Sequence, residues 1–540
     1  MPQLRDSSNE ASAGSHLNRH ANDFSRIFGI ETEYGVSITQ TRRRLDPSRA
    51  AMVMFEPVVN RQRSTNTYLA NGSRLYLDVG SHPEYATAEA ATPAAAVAQD
   101  AGGELVMKRL ANAAQARLAE QLGEPNLKLH LYKNNLDAEG NSFGCHENYL
   151  LRRTVPLKVV ERVLIPFLAT RLIWAGAGHV GGASGEGATG DGTAVSFEIA
   201  QRAEVLDEAV SSATTRVRPM INTRDEPHAD PDQFRRLHVI VGDSNRSQTS
   251  TWLRLATTHL VLCMIEEALR GGKSEGFSVQ LAAMLEAVPR SVRDNSTSVM
   301  KAVSAGSAGA VRDALMTQRL YCDAASLFAR QHREELVGAG SIGESELDEA
   351  LRLWDGAIAA GEYALTVQAN AGVGRAGEEG HGSPSDSVTD LVADEMPDWA
   401  EWAAKYRLLK AFRQRHPEAT VERLEQIELA YHDVAASSVF ESLVKRGSMP
   451  ERVSVRESRR AMDEPPMGTR AMLRGEFVRK ALKSRAEWSC DWTHLEVKIG
   501  GGSAAGVDSG GSRRYEVVLL DPFDDSMTPH VREVFDALDE

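Results

Sequence analysis

The chain has 540 residues, 42% hydrophobic and 25% charged, with 61 Lys and Arg against 75 Asp and Glu for a formal net charge of −14. That length exceeds what one core fills, so a large domain with a smaller companion is expected. The acidic balance excludes a phosphate-tracking nucleic-acid surface, since the basic clusters are only Arg42 to Arg44 and Arg459 with Arg460.

No apolar run is long enough to span a membrane and no N-terminal apolar signal segment is present, so a cytoplasmic protein without membrane partners is expected. Four cysteines, Cys145, Cys263, Cys322 and Cys490, lack any CxxC spacing. They read as reduced packing residues rather than disulfides or zinc ligands.

In chain order, residues 1–22 are rich in Ser, Asn and Ala without periodicity and read as a disordered leader. "RIFGIETEYGVSI", 26–38, alternates as a strand, with Ile27, Gly29, Glu31, Glu33 and Gly35 on one face and Phe28, Ile30, Thr32, Tyr34 and Val36 on the other. In a second strand, 74–79, Leu75, Leu77 and Val79 form an apolar face while Arg74, Tyr76 and Asp78 share the other. A turn through Ser81, His82 and Pro83 then presents Glu84, with Thr87 just beyond.

Alanine-rich helical pattern dominates 88–122 and 250–290, and further strands are expected at 127–133, 147–152 and 237–241. Three glycine-rich stretches, 175–192, 371–382 and 500–511, read as surface loops or insertions. After Met449-Pro450 a compact segment ends in "RRYEVVLLDPF". The expected organisation is a leader over 1–22, a large domain over 23–450 and a small C-terminal domain over 451–540, in an α+β fold with helices covering one face of a sheet.

Phosphate-loop motifs fail. "GAGHVG" and "GEGATG" satisfy G-x-G-x-x-G but lack the preceding strand, and in "EALRGGKS" Glu267 stands where the first glycine belongs. "HENYL", 146–150, lacks the second histidine of a zincin helix.

The alternative is hard oxygen ligation: Glu31, with Glu33 beside it, and Glu84 could converge from separate strands on Mg²⁺. A solvated strand face shows the same alternation without any metal. "INTRDEPHAD" followed by "RLHVIVGDSN" adds Arg224, Arg235 and Arg236 for phosphate or carboxylate, and His228 and His238 for metal or phosphate. Any one of these fits a buried ion pair equally, and a lone histidine is more often a satisfied core residue.

"GIETEYGV", "NGSRLYLDVGSHPEYATAE", "YKNNLDAEGNSFGCHENYL", "SSATTRVRPMINTRDEPHAD" with "RRLHVIVGDSN", "AYHD", and "RGEFV" with "DWTHLEV" resemble the family of Pup ligases and Pup deamidases, on its Pup–protein ligase side. The resemblance implies a glutamine-synthetase-like carboxylate–amine ligase domain whose curved antiparallel sheet cradles ATP, with a small C-terminal domain packed against it. It implies a reaction too. ATP phosphorylates the γ-carboxylate of the C-terminal glutamate of Pup, a small disordered protein modifier, and a lysine of a target protein displaces the phosphate, leaving an isopeptide bond that marks the target for the proteasome.

Residue by residue, the resemblance assigns Glu31, Tyr76 and Glu84 to Mg²⁺, Arg74 and Thr87 to ATP, Trp492 to the adenine face, and Asp78 to the base that takes the lysine proton. Tyr76 is an unusual ligand type whose role would be partly positional. Where the family follows "GDSN" with Met and, two residues on, Glu, this chain has Arg246 and Gln248.

Within the family the rival is the depupylase or deamidase, which carries a long insertion between the first two strands; here only 34 residues, 37–70, separate them. A non-catalytic Pup-binding module would have no use for the carboxylate set, and a ligase of the glutamate–cysteine type is the remaining enzyme alternative.

Overall fold

The expected strand over 26–38 is two strands, β1 (Phe28–Glu33) and β2 (Gly35–Thr39), parted at Tyr34. At the break the Tyr34 amide turns aside to donate to the Pro83 carbonyl at 2.9 Å. The computed structural model describes residues 23–42, 45–62, 64–78, 80–137, 140–181, 196–213, 218–270, 275–374, 387–500 and 513–540. The leader expected over 1–22 and glycine-rich residues 182–192, 375–382 and 501–511 lie outside them.

The remaining strands are β3 (Asn66–Tyr68), β4 (Arg74–Leu77), β5 (Pro83–Ala86), β6 (Lys128–Tyr132), β7 (Cys145–Arg152), β8 (His179–Gly181), β9 (Ser196–Glu198), β10 (Glu208–Ser211), β11 (Pro219–Asn222), β12 (Phe234–Val239), β13 (Glu487–Cys490), β14 (His494–Ile499) and β15 (Arg513–Val518). Eight of them form one sheet in the order β10-β11-β12-β7-β1-β5-β4-β3. Its neighbours run antiparallel except the edge pair β10–β11, which is parallel. β2 leaves this sheet to pair with β6.

The alternation expected for β1 holds through the strand: Phe28, Ile30 and Thr32 are buried, while Gly29, Glu31 and Glu33 are half-exposed on the opposite face. The buried face carries Leu75, Tyr85, Tyr149, Leu151, Leu237 and Val239. Against it lie the helices Pro93–Leu122 and Gln248–Leu269, the second buried almost along its whole length. Thr92 caps the first, its side chain accepting from the Ala95 amide with Pro93 in the first turn, so the helix starts five residues later than the alanine pattern suggests. The helix-rich stretch 250–290 divides into Gln248–Leu269 and Glu275–Ala287.

The first glycine-rich stretch is not a surface loop where it is described. Residues 175–178 are buried, and the carbonyls of Gly176 and Gly178 accept from the Trp402 amide at 3.2 Å and from Lys405 Nζ at 2.9 Å. Residues 179–181 continue as β8. Small residues let the helix Glu401–Arg415 approach the backbone there. Residues 371–374 likewise end the helix Glu344–Gly374 rather than a loop.

Past residue 450, the helix Val455–Asp463 packs along Pro93–Leu122. The antiparallel sheet β13-β14-β15 and the helices Ala471–Ala481 and Pro529–Asp536 then enclose an apolar cluster of Phe477, Val478, Leu495, Val497, Val517, Val531 and Phe535. Tyr68 of β3 belongs to that cluster, so the small sheet is seated beside the edge of the large one.

Candidate functional site

The side of the large sheet turned away from the helices is where the polar residues collect. Register decides which of them meet. Glu33 of β1 lies opposite Glu84 of β5, and Glu84 opposite Tyr76 of β4. One residue pair along, Glu31 lies opposite His146 of β7, and His238 of β12 opposite Asn148 of β7. Cross-strand neighbours share a face at about 5 Å, so residues far apart in sequence form one patch.

At its centre Glu31 is 16% exposed. Its Oε2 sits 3.0 Å from His146 Nδ1, and its Oε1 accepts from Asn148 Nδ2 at 3.2 Å and Arg236 Nη1 at 3.3 Å. Burial would raise the Glu31 carboxyl, but His146, His238 and Arg236 together hold it well below the usual range. His238 Nε2 lies 3.6 Å from Glu31 and is buried without a hydrogen-bond partner. Burial foremost, with His146 and Arg236, brings that imidazole down to about 4, neutral at physiological pH.

Glu84 is in the opposite condition. It is 3% exposed, and burial, then Glu31 and Glu33, push its carboxyl well above the usual range; the Tyr76 hydroxyl, hydrogen-bonded to it, offsets part of this. The Tyr76 phenol is itself raised far, by burial and then by Glu31 and Glu84, and stays neutral. Asp78 closes the group. Carboxylate oxygens of Glu33, Asp78 and Glu84 all lie within 4.8 Å of one another. A buried carboxylate crowded by three others is a donor set of hard oxygens with excess negative charge, and it fits a divalent cation such as Mg²⁺.

Asp78 does not extend β4. The strand ends at Leu77, and Asp78 begins the turn to β5: its amide donates to the His82 carbonyl at 3.0 Å and its carbonyl accepts from Ser81 at 2.9 Å. Its side chain is exposed. Val79, expected on the apolar face with Leu75 and Leu77, lies outside the described residues.

Beside this group a cleft of about 580 Å³, open to solvent, runs from Glu31 along Ile27 and Gly29 to Thr87, with Pro227, His228, Arg236, Arg470, Trp492 and Pro522 forming its other walls. Thr87 is fixed there by accepting from the Ile30 amide through its hydroxyl at 3.0 Å. Trp492 is half-buried, edge-on to Tyr68 at 5.2 Å.

Glu31 lines the cleft, and its charge is also among those that raise Glu84. Arg74 lies outside the cleft walls; its Nε donates to Asn66 at 2.8 Å and its guanidinium lies over the Tyr76 ring at 4.1 Å. The structure thus brings Tyr76, Asp78 and Glu84 together with Glu33, sets Glu31 nearby with His146 and His238, and puts Thr87 with Trp492 in the adjoining cleft.

Sequence reasoning missed His146 and Asn148, which a helix motif had drawn attention away from; their period-two spacing on β7 was the available signal. It missed Glu89, Arg470 and Arg474 as well, described below. The two departures from the family pattern are tied into the scaffold. Arg246 is buried, over the Phe440 ring at 4.8 Å and 3.6 Å from Glu104. Gln248 Oε1 accepts from the amides of Arg452 and Val453 at 3.0 and 2.7 Å. Neither lines the cleft.

Residues 26–496 match the family model described as Pup-ligase protein. The chain is similar to a Pup–protein ligase of Bifidobacterium longum (strain NCC 2705), 45% identical over 543 residues with all of both chains covered. One of Bifidobacterium adolescentis shows the same identity and coverage. Among solved structures it is similar to the ligase PafA in its complex with the prokaryotic ubiquitin-like protein Pup, with TM-score 0.72 and 29% identity over 96% of this chain and 94% of that one. It is also similar to the Pup ligase PafA in complex with ADP, with TM-score 0.68 and 31% identity over 93% and 97%.

Proposed function

The chain belongs to the Pup-ligase family, and from that premise we propose that it is an ATP-dependent carboxylate–amine ligase joining the C-terminal glutamate of Pup to lysines of target proteins. The observation that carries this reading is Glu31, which lines an open cleft and whose charge also bears on the crowded carboxylate Glu84.

The chemistry needs both parts. A carboxylate is a poor acylating agent because oxide is a poor leaving group, so the γ-carboxylate of Pup takes the γ-phosphoryl group of ATP, releasing ADP. The resulting acyl phosphate then loses phosphate to the lysine amine. The adenine would lie between Trp492 and the sheet wall at Thr87, its phosphates directed toward Glu31 and Arg236. Glu31 and Glu84, with Tyr76 donating to Glu84, would hold Mg²⁺, which when bound offsets charge on the transferring phosphoryl group. Arg74, over the Tyr76 ring, adds a cation at that end.

Asp78 would serve the second half-reaction. A lysine near neutral pH is an ammonium without a free lone pair, and it arrives on a folded protein that cannot enter a closed cavity. An exposed carboxylate beside the buried group can meet it at the surface and accept its proton. The same reading treats 23–450 as the catalytic unit and 451–540 as the smaller unit that supplies Trp492.

The test is direct. The chain is incubated with Pup ending in glutamate, ATP, Mg²⁺ and a lysine-bearing protein, and the product is read by mass spectrometry. Conjugate mass on lysine, dependent on ATP and on Mg²⁺, is expected. Ammonia release from the glutamine form of Pup with no conjugate would replace the ligase by a deamidase.

A further inference from the structure

Five residues beyond Glu84, Glu89 is also buried. Two guanidiniums reach it from one helix turn. Arg470 Nε donates to Oε1 at 2.8 Å, Arg474 Nη1 donates to Oε1 at 3.0 Å, and Arg474 Nη2 donates to Oε2. Both arginines are buried, Arg474 completely.

Their remaining donors go to backbone carbonyls of four separate segments. Arg474 serves Gly72, through Nε at 3.0 Å and Nη2 at 2.9 Å, and Trp492 at 3.0 Å. Arg470 serves Leu519 at 2.7 Å and His228. The Arg474 guanidinium also lies 4.8 Å from the centre of the Trp492 ring. These carbonyls belong to the turn before β4, to a cleft wall, to the tryptophan itself and to the end of β15. One carboxylate and two guanidiniums thus fix the backbone around the cleft.

The helix comes this close because two glycines allow it. A Cβ on Gly475 would stand 2.5 Å from the Ala70 carbonyl oxygen, and one on Gly72, whose φ is +77°, would stand 2.9 Å from the Ala471 carbonyl oxygen. Two backbones in direct contact bring Arg474 within reach of Gly72. His228, whose carbonyl Arg470 holds, has φ +47°, a left-handed conformation that a non-glycine residue keeps only under constraint.

We propose that Arg470 and Arg474, anchored on Glu89, are positioning residues for nucleotide binding, which set the separation of Trp492 from the sheet wall at Thr87 and hence the width of the cleft. The proposal rests on reading that cleft as the nucleotide site. Arg474 touches the scaffold around the cleft and Arg470 forms part of its wall, and neither is at the carboxylate group, so they act on affinity for ATP and not on the lysine step.

The test compares Arg474→Lys, Gly475→Ala and Trp492→Ala with the parent, each checked for folding by circular dichroism. Mg·ADP affinity is read by calorimetry, and KM for ATP and kcat in Pup conjugation by kinetics. Arg474→Lys keeps the charge but loses the planar fork; Gly475→Ala leaves both arginines and pushes the helix off Ala70. Each is expected to weaken Mg·ADP by about 10- to 100-fold, the usual penalty for misplacing a site from its supporting shell. KM for ATP should rise in step, with kcat at saturating ATP unchanged. A purely structural role would instead lower kcat through the folded fraction and leave the affinity of that fraction alone.

If Arg474→Lys does not fold, Gly475→Ala reads the same point, because Arg470 itself lines the cleft. Parental affinity in the arginine and glycine variants beside a weakened Trp492→Ala overturns the clamp alone. Parental affinity in Trp492→Ala overturns the cleft reading and the clamp with it.

Discussion

Glu84 and Glu89 leave the same short segment of chain, and both are buried, yet their surroundings are opposite. At Glu89 burial would raise the carboxyl, but Arg474 and Arg470 overcome it and hold it at about 2. At Glu84 burial acts together with Glu31, Glu33 and Asp78 and pushes the carboxyl up. Buried carboxylates are tolerated when paired. The first is complete as the chain stands and fixes the small unit to the sheet; the second is crowded by like charge, which a bound divalent cation would offset. The contrast separates scaffold from site within a few residues.

The largest effect is expected on the anionic side, where it would break the comparison if absent. Asp78→Asn keeps shape and most hydrogen bonding but loses the basic oxygen. Conjugation should fall about 10²–10⁴-fold, with Mg·ATP binding retained and part of the rate recovered at higher pH, where more lysine is deprotonated. Pup conjugation followed on gels across pH, with calorimetry alongside, checks this. Loss of Mg·ATP binding would move Asp78 into the metal set.

On the paired side, Glu89→Gln strands two buried guanidiniums. Removing one partner of such a group costs about 3–5 kcal/mol, and chemical denaturation should show a loss of that order. Acid does the same gradually. The folded Glu89 carboxyl lies below its unfolded value, so its contribution is complete above roughly pH 4.3 and is lost as pH falls toward about 2. Between those pH values the melting temperature should fall less steeply with pH in Glu89→Gln than in the parent. A smaller change sharpens the contrast from the other side: Glu31→Gln should weaken Mg·ATP by about 10- to 100-fold while leaving cooperative unfolding intact, read by calorimetry and melting.

How much of this was legible beforehand follows the range of the forces involved. Strand alternation is local, so the faces of β1, and Arg74 and Tyr76 apart from Leu75 on β4, could be read directly. The break at Tyr34 could not, because it depends on a hydrogen bond to Pro83 across the fold. Register between strands is likewise non-local: nothing near His146 says that Glu31 will stand opposite it. Arg470 and Arg474 were the least visible, since their carboxylate is some 380 residues away in sequence. The family motifs supplied Asp78 as a base, yet its exposed position comes from a turn that ends the strand at Leu77.

Glu89 is neutralised by two arginines whereas Glu84 suits a bound divalent cation, and thermal unfolding of Glu84→Gln with and without Mg²⁺ tests this contrast most directly. A folded carboxyl raised above its unfolded value weakens the fold as pH climbs past it, so at neutral pH without metal the neutral glutamine should melt higher than the parent. The parent's rise in melting temperature on adding Mg²⁺ with ATP should disappear in the variant. A Glu84→Gln protein that melts lower than the parent without metal, as Glu89→Gln is expected to, and still gains stability from Mg·ATP would contradict the account.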